Sequence, residues 1–142
     1  MRVRVAAFIR KNDSVLLVKH RKNGREYWLL PGGGVHTGEK TADALKRELY
    51  EEIRLKAEVR DLLFVVEAFS GRNHIIQPTY IVHTDENESI GVGTDRRVVD
   101  FAYFDGEGLE KVTLYPDIKN ELQKYLSEGS VSRRYICKKW ID

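Results

Sequence analysis

Residues 30–55, LPGGGVHTGEKTADALKRELYEEIRL, constrain the fold of this chain more than any other stretch. They open with a proline and three glycines, whose backbone preferences predict a tight turn over residues 31–34. Apolar residues at helical spacing then predict a helix over Thr41–Ile53, with Thr41 as its N-cap. The sequence therefore predicts a glycine turn that leads directly into an amphipathic helix.

A helical wheel divides this helix into an apolar face and an acidic flank. The apolar face consists of Ala42, Leu45, Leu49 and Ile53, which are spaced to pack on a sheet. The flank carries three glutamates on one turn, Glu48, Glu51 and Glu52, with Arg47 beside Glu51. Like charges this close repel each other, and helix stability does not require them. A divalent cation such as Mg²⁺ would stabilise them, because it binds carboxylate oxygens and keeps positions for water and phosphate.

The alternative interpretation of the flank is a solvated acidic helix face, which is the usual meaning of a run of glutamates. Three neighbouring features count against it: the preceding glycine turn, the flanking Arg47, and one more glutamate at Glu39. A metal site is therefore the favoured hypothesis.

The complete pattern resembles the signature of the Nudix hydrolases: Gly, five residues, Glu, seven residues, Arg-Glu, an apolar residue, any residue, Glu-Glu, any residue, Gly, an apolar residue. The matching positions are Gly33, Glu39, Arg47, Glu48, Leu49, Glu51, Glu52 and Leu55. The one departure is Arg54, where the family has a glycine that ends the helix, commonly in a left-handed conformation. Because that conformation costs a non-glycine residue about 1 kcal/mol, the departure concerns the helix end and not the carboxylates.

This resemblance implies a fold and a reaction. The fold would be of the α/β class, an α/β/α sandwich with a mixed β-sheet between helices. The reaction would be hydrolysis of the pyrophosphate linkage in a nucleoside diphosphate linked to another moiety, with Mg²⁺ or Mn²⁺ as cofactor. Nucleotide sugars such as ADP-ribose, modified nucleoside triphosphates and dinucleoside polyphosphates all stay open as substrates, because the motif recognises the diphosphate and not what it carries.

The resemblance also implies roles for individual residues. The metal ligands would be Glu48, Glu51 and Glu52, with the peptide group of Gly33 beside them. Either Glu51 or Glu52 would also orient or deprotonate the attacking water, and Arg47 would hold a glutamate in place by a paired hydrogen bond. The peptide group of Gly32 would reach the metal or the phosphate, and Glu39 would lie near the metal shell or lock the loop.

Two further candidates lie outside the signature. Tyr27 or Trp28 could stack on a base, since aromatic faces bind bases with little sequence demand. Alternation along a strand puts these two side chains on opposite faces, so at least one belongs to the core. Some family members add an acid from a distant loop; the candidates are Glu86, Glu88 and Asp95, and Asp95 is preferred because it lies just before the next predicted strand.

The remaining chain is predicted as strands around two helices. Strands are predicted over residues 3–9, 15–18, 27–30, 56–69, 74–84 and 98–104, and a second helix over 116–126. Asn12-Asp13 predicts a hairpin turn between the first two strands. Residues 20–26, HRKNGRE, are interpreted as a solvated charged loop, although its cations could contact phosphate. The tail 129–142 mixes basic and aromatic residues and fits a strand, an oligomer contact or a loose arm.

Length and composition limit the number of domains, the partners and the cellular location that we expect. The 142 residues fit one domain, and the net charge of +2, from 24 basic and 22 acidic residues, argues against nucleic acid as a partner. The single cysteine, Cys137, cannot form an internal disulfide, which fits a reducing cytoplasm. No apolar run is long enough for a signal peptide or a membrane span. We expect a cytoplasmic protein with a small nucleotide substrate, either a monomer or a homodimer.

Two other functions stay open. One is a non-catalytic nucleotide-sensing module on the same fold; such modules often lose the carboxylates of the signature, whereas this chain keeps them all. The other is a pyrophosphohydrolase of RNA 5′ ends, which only the basic segment SRRYICKKW supports.

Overall fold

The computed structural model describes residues 1–85 and 89–141, which contain eight strands and three helices. In chain order these are β1 Arg2–Lys11, β2 Ser14–Lys22, β3 Arg25–Leu29, β4 Gly32–Gly34, α1 Thr41–Ile53, β5 Glu58–Phe69, β6 His74–His83, β7 Val98–Phe104, α2 Gly106–Leu109, α3 Lys119–Glu128 and β8 Tyr135–Lys139. No helix in these residues combines the length and the apolar character needed to cross a membrane.

The strands form one mixed sheet. Its order is β3-β2-β1-β6-β5-β8, with β4 paired to β1 and β7 paired to β2. The pairs β1–β6 and β5–β8 are parallel, and the other pairs are antiparallel. The long strand β5 is irregular, because its register against β6 shifts on both sides of Leu62. The tail that the sequence left undecided is therefore a strand in its central part, β8, at the edge of the sheet.

Alternating side chains along β1 divide the core into two layers. Val5, Ala7 and Ile9 pack with α1 on one face of the sheet. Ala6 and Phe8 point to the opposite face, where the buried residues of α2 and α3 pack. Helices on both faces of a mixed sheet confirm the predicted α/β/α sandwich.

Helix α1 begins and ends at the predicted residues, but its N-terminus and apolar face differ in detail. Lys40 occupies the N-cap position without a side-chain hydrogen bond, and the Thr41 hydroxyl instead lies 2.7 Å from the Tyr80 hydroxyl. The prediction of Thr41 as the N-cap was therefore wrong. Ala44, and not the half-buried Ala42, joins the fully buried face of the helix.

Arg54 ends α1 as the family glycine would. Its φ of 58° and ψ of 26° are left-handed, and its N–H donates to the carbonyl of Tyr50 at 3.0 Å. That bond is the one that defines the αL motif at a helix C-terminus, and the N–H of Leu55 also donates to the carbonyl of Leu49 at 3.3 Å. The Arg54 guanidinium lies 5.1 Å from the ring centroid of Tyr50, an attraction that offsets part of the left-handed strain. The departure from the signature thus leaves the helix end intact.

The predicted charged loop over residues 20–26 was wrong. Strand β2 continues through Lys22, and β3 pairs with it from Arg25 onward. Asn23 and Gly24 both have positive φ values, 53° and 77°, as a two-residue hairpin turn requires. The segment is a β-hairpin, and one of its residues, His20, is buried.

The predicted glycine turn and second helix also differ from the structure. Gly32–Gly34 is a short strand antiparallel to β1, with Gly33 opposite Val5. Helix α3 begins at Lys119, three residues after Pro116, because the preceding segment is extended against β3. There the Trp28 N–H donates to the Thr113 carbonyl and the Tyr115 N–H donates to the Trp28 carbonyl.

Candidate metal and phosphate site

The glutamates of α1 face strand β4. Glu48 and Glu52 are four residues apart, so they lie on the same side of the helix. Glu52 is fully buried and Glu48 is 8% exposed, whereas Glu51 is only partly buried. The acidic flank is therefore built into the contact between α1 and the sheet, unlike a solvated helix face.

Both carboxylate oxygens of Glu52 have fixed partners. Oε1 accepts the Gly32 N–H at 2.9 Å, and Oε2 lies 3.0 Å from Nε2 of His20. Since neighbouring strands supply these partners, the orientation of Glu52 is set by the sheet and not by its own helix.

Arg47 connects the other carboxylates. Its Nε and Nη2 each donate to Glu39 at 2.9 Å, and Nη1 donates to Glu48 at 2.9 Å and to Glu51 at 3.3 Å. Nη2 also donates to the carbonyl of Gly34 at 3.0 Å. The hydrogen bonds from Arg47 hold the pKa of Glu39 down to about 2. Arg47 thus ties the loop before α1 to the helix and to β4.

Glu48 is held against a glycine. Burial raises the pKa of its carboxyl group, and the hydrogen bond from Arg47 acts in the opposite direction. A Cβ atom on Gly33 would overlap the Glu48 carboxylate, so this approach is open only to glycine. The position of the Glu48 carboxylate therefore depends on glycine at residue 33, and both residues belong to the signature.

The loop between β6 and β7 closes the C-terminal end of α1. Gly91 and Gly93 donate their N–H groups to the carbonyls of Ile53 and Glu52 at 3.0 and 3.2 Å. Thr94 and Asp95 donate theirs to the carbonyl of Glu51 at 2.8 and 3.3 Å. A Cβ atom on Gly93 would overlap the Glu51 carbonyl oxygen. These contacts satisfy carbonyl groups that a helix end leaves without partners, and they bring Asp95 to the site.

His20, Glu52 and Asp95 form the one group of three potential metal-ligating side chains found among the described residues. Their ligand atoms all lie within 4.8 Å of one another. Burial acts to raise the pKa of Asp95, but the hydrogen bonds and charge of Arg97 lower it below the ordinary value. The other two candidate acids, Glu86 and Glu88, lie outside the described residues.

Sequence reasoning missed His20 as a member of this group. Two signals were present. Asn23-Gly24 is a hairpin signal, and His20 continues the alternation of Leu16 and Val18, which pack on the α1 face.

A cavity of about 540 Å³ lies beside β4. Its wall includes Gly32, Gly33, His20 and Tyr27, so Glu52 lies directly behind the wall. Tyr27 is 8% exposed and packs edge-on against Tyr115 at 5.8 Å. Tyr27 thus lies on the α1 side of the sheet and lines the cavity, whereas Trp28 lies on the opposite side against Phe104.

Arg4 contributes a half-buried cation to the same wall. Nη1 donates to Oε1 of Gln77 and Nη2 donates to the carbonyl of Leu30, both at 2.8 Å. Burial lowers the pKa of the Arg4 guanidinium, and the charges of Glu52 and Glu48 act against this. The cavity wall therefore includes a fixed positive charge that interacts with the carboxylates of Glu52 and Glu48.

A family model and individual relatives of this chain all indicate the same protein family. The model of the NUDIX domain matches residues 1–126. An ADP-ribose pyrophosphatase from Methanocaldococcus jannaschii is 33% identical over 113 residues, which are 78% of this chain and 65% of that protein. The human diphosphoinositol polyphosphate phosphohydrolase NUDT4B is 32% identical over 91 residues, 61% of this chain and 49% of that protein. The chain thus spans about half to two thirds of the length of these relatives.

Solved structures agree with this comparison. A MutT NUDIX hydrolase from Burkholderia pseudomallei superposes with a TM-score of 0.68 at 30% identity, over 75% of this chain and 84% of that one. A NUDIX hydrolase from Nitrosomonas europaea superposes with a TM-score of 0.75 over 97% of this chain and 78% of that one. At 19% identity, the second likeness concerns the fold alone.

Proposed function

We propose that this chain, which belongs to the Nudix hydrolase family, hydrolyses the pyrophosphate linkage of a nucleoside diphosphate joined to another moiety. The observation that carries the proposal is the pair of buried carboxylates, Glu48 and Glu52, packed against the glycine strand beside a nucleotide-sized cavity. Relatives named as an ADP-ribose pyrophosphatase and an 8-oxo-dGDP phosphatase support this reaction class. The substrate of this chain would be a nucleotide sugar, a modified nucleoside triphosphate or a dinucleoside polyphosphate.

The donor set fits a divalent metal ion, which we propose to be Mg²⁺ or Mn²⁺. The ligands would be carboxylate oxygens of Glu48, Glu51 and Glu52 with the peptide group of Gly33, and oxygen donors are what these ions prefer. Burial makes the charged form of Glu48 costly, as its raised pKa indicates, and a nearby cation would remove that cost. When bound, the ion would supply Lewis acidity and an activated water.

The chain's own residues would then orient the reacting groups. Arg47 holds Glu48 and Glu51 through Nη1, so neither carboxylate rotates freely. Glu52 is fixed by His20 and by the N–H of Gly32, and we propose Glu52 or Glu51 as the group that orients the attacking water or accepts its proton.

The remaining predicted residues would act around this centre. Glu39 would lock the loop before α1 through its two hydrogen bonds with Arg47. Tyr27 would contact the nucleotide base in the cavity, and the peptide group of Gly32 would lie beside the phosphate. Asp95 would act near the water, since its carboxylate lies close to that of Glu52.

A substrate screen tests the proposal. The protein would be incubated with a panel of nucleotides and Mg²⁺ or Mn²⁺, and the products would be identified by mass. We expect hydrolysis of at least one panel member, abolished by a chelator, and a loss of about 10²- to 10⁴-fold in Glu51→Gln or Glu52→Gln. Glu58→Gln is the matched control, because Glu58 is an exposed carboxylate paired with Arg60.

Two results would contradict the proposal. Unchanged activity in both Glu51→Gln and Glu52→Gln would reject the residue assignment. Calorimetric binding of a nucleotide without turnover across the panel would reject hydrolysis and support the nucleotide-sensing module.

We also propose a cytoplasmic location and allow for a homodimer. The single, exposed cysteine, Cys137, supports a reducing compartment. Strand β8 lies at an edge of the described sheet, and an edge strand can pair with a second copy. Sedimentation at two protein concentrations would separate monomer from dimer.

A further inference from the structure

The segment that follows the family-matched residues 1–126 returns to the candidate site. It contains β8, which pairs in parallel with β5, with Lys139 opposite Phe69 at the end of both strands. This end of β5 lies next to the start of β6, which in turn pairs with the start of β1. The two residues that leave β8, Trp140 and Ile141, therefore reach the end of the sheet where the 540 Å³ cavity lies, and both line its wall.

Several contacts anchor this segment, so Trp140 has a defined position. Within β8, Ile136 is buried in the core on the face where α3 packs, and Lys138 Nζ lies 3.2 Å from a carboxylate oxygen of Glu121 in α3. Beyond β8, the Trp140 N–H donates to the carbonyl of Phe69 at 2.9 Å. The indole is partly buried and packs against the core on both faces of the sheet. A ring held in this way loses little conformational entropy when a ligand packs on it.

Trp140 offers more aromatic surface to the cavity than any other side chain of its wall. Among the described residues, the Phe, Tyr and Trp side chains that line the cavity are Tyr27 and Trp140. Tyr27 is 8% exposed and packs edge-on against Tyr115, which leaves little of its ring for a ligand. Trp140 is more exposed, and an indole has a larger face than a phenol ring. Nucleobases are planar and aromatic, and they stack on such a face with little demand for a particular base.

The wall that contains Trp140 also contains the glycine strand. Gly32 and Gly33 line the same cavity, and the carboxylates of Glu52 and Glu48 contact these two glycines from behind the wall. The volume of about 540 Å³ is that of a small-molecule site. One nucleotide can therefore have its diphosphate at the glycine strand and its base at Trp140.

We propose that Trp140 stacks on the nucleobase of the substrate and is a specificity-determining residue of this chain. Tyr27 is then a smaller second contact to the base. The base site is thus completed by a segment that lies outside the family-matched residues. This inference rests on the proposed function, because it takes the cavity beside β4 as the substrate site of that reaction.

Fluorescence of the indole tests the inference without turnover. The chain has two tryptophans, and Trp28 lies outside the cavity against Phe104, so Trp28→Phe leaves Trp140 as the only tryptophan. AMP, GMP, CMP and UMP would each be added with Mg²⁺, because they contain no pyrophosphate linkage to hydrolyse. We expect at least one of them to quench the fluorescence of Trp140, since a base stacked on an indole quenches it. Ribose 5-phosphate, which lacks a base, should leave the fluorescence unchanged.

The matched control is Trp140→Phe, which keeps Trp28 as the only tryptophan. It should show no quenching beyond the light that the nucleotide itself absorbs. Absence of quenching by all four nucleotides in Trp28→Phe would overturn the inference. So would equal quenching in Trp28→Phe and Trp140→Phe, or equal quenching by ribose 5-phosphate and by the nucleotides.

Calorimetry with the nucleotide that quenches most measures the size of the effect. We expect Trp140→Leu to lower the affinity about 5- to 150-fold, the range for loss of one stacked base, and Trp140→Phe to retain most of it because it keeps a ring. Tyr135→Leu is the matched control, since it also removes an aromatic side chain of this segment, but one outside the cavity. Equal affinities in Trp140→Leu and Tyr135→Leu would overturn the inference. If Trp140→Leu does not fold, the quenching experiment still decides, because it uses the intact Trp140.

Steady-state kinetics separate this inference from the proposed function. For a nucleotide that the wild-type protein hydrolyses, we expect Trp140→Leu to raise KM with little change in kcat, because the base takes no part in bond cleavage. Equal KM values in Trp140→Leu and Tyr135→Leu would overturn the inference while hydrolysis itself stands. Quenching of Trp140 by a nucleotide without turnover of any substrate would overturn the proposed function and support the base site.

Discussion

Gly93 sets the contact between the β6–β7 loop and the end of α1, and replacing it with alanine should break that contact. A Cβ atom at this position overlaps the main-chain carbonyl of Glu51. Because the overlap is with backbone and not with a flexible side chain, rotation of a side chain cannot relieve it. The loop must therefore move away from the helix end, and Asp95 moves with it.

The magnitude follows from the hydrogen bonds that hold the loop. Four N–H groups, from Gly91, Gly93, Thr94 and Asp95, donate to carbonyls of α1. Each such bond contributes about 0.5–1.5 kcal/mol net, and alanine recovers about 0.4–1 kcal/mol by restricting the unfolded chain. If all four bonds are lost, Gly93→Ala should lower the free energy of unfolding by about 1–5 kcal/mol.

The assay is urea unfolding of Gly93→Ala beside Gly91→Ala. Gly91 is the matched control, because a Cβ atom there meets nothing within 4 Å. We expect Gly91→Ala to stay within about 1 kcal/mol of the wild-type protein. If Gly93→Ala is as stable as Gly91→Ala, the loop does not pack on α1 as described and the placement of Asp95 is wrong.

Two further predictions concern the glycine strand and the loop before α1. Gly33→Ala should displace the Glu48 carboxylate and reduce hydrolysis at least about tenfold, as changes near metal ligands do. Gly34→Ala is the control and should retain activity, because a Cβ atom there meets nothing within 4 Å. Equal steady-state rates of hydrolysis in the two variants would contradict this prediction. Arg47 holds the pKa of Glu39 at about 2, below the ordinary 4.5, so the wild-type protein should be more stable than Glu39→Gln above about pH 4.5 and lose that advantage as the pH falls toward 2. Thermal unfolding at several pH values measures the difference, and an advantage that stays constant down to pH 2 would contradict the assignment.

The local parts of the fold could be predicted from the sequence. The bounds of α1 follow from its apolar spacing, and the hairpin turn follows from Asn12-Asp13. Arg54 shows the limit of such rules: a glycine position tolerates arginine here because the hydrogen-bond pattern of the helix end is kept and the guanidinium lies over Tyr50.

The parts that pattern reading missed depend on long-range pairing. The Asn23-Gly24 signal was overlooked inside a run of charges, so β2 was predicted too short and His20 was placed in a loop. The contact of His20 with Glu52 joins residues 32 positions apart, and the contact of Arg4 with Gln77 joins residues 73 positions apart. Spacing along one sequence contains no information about such pairs, since they arise only when the strands assemble.

The central claim is that the glutamates on the flank of α1 hold a divalent cation. Electron paramagnetic resonance of free and bound Mn²⁺ measures this directly in the wild-type protein, in Glu51→Gln, and in Glu58→Gln as the control. We predict at least one bound Mn²⁺ in the wild-type protein and in Glu58→Gln. The affinity for Mn²⁺ should fall at least about tenfold in Glu51→Gln, because mutation of residues that only contact a metal ligand already lowers metal affinity by that factor. No bound Mn²⁺ in the wild-type protein, or equal affinity in Glu51→Gln and Glu58→Gln, would contradict the claim.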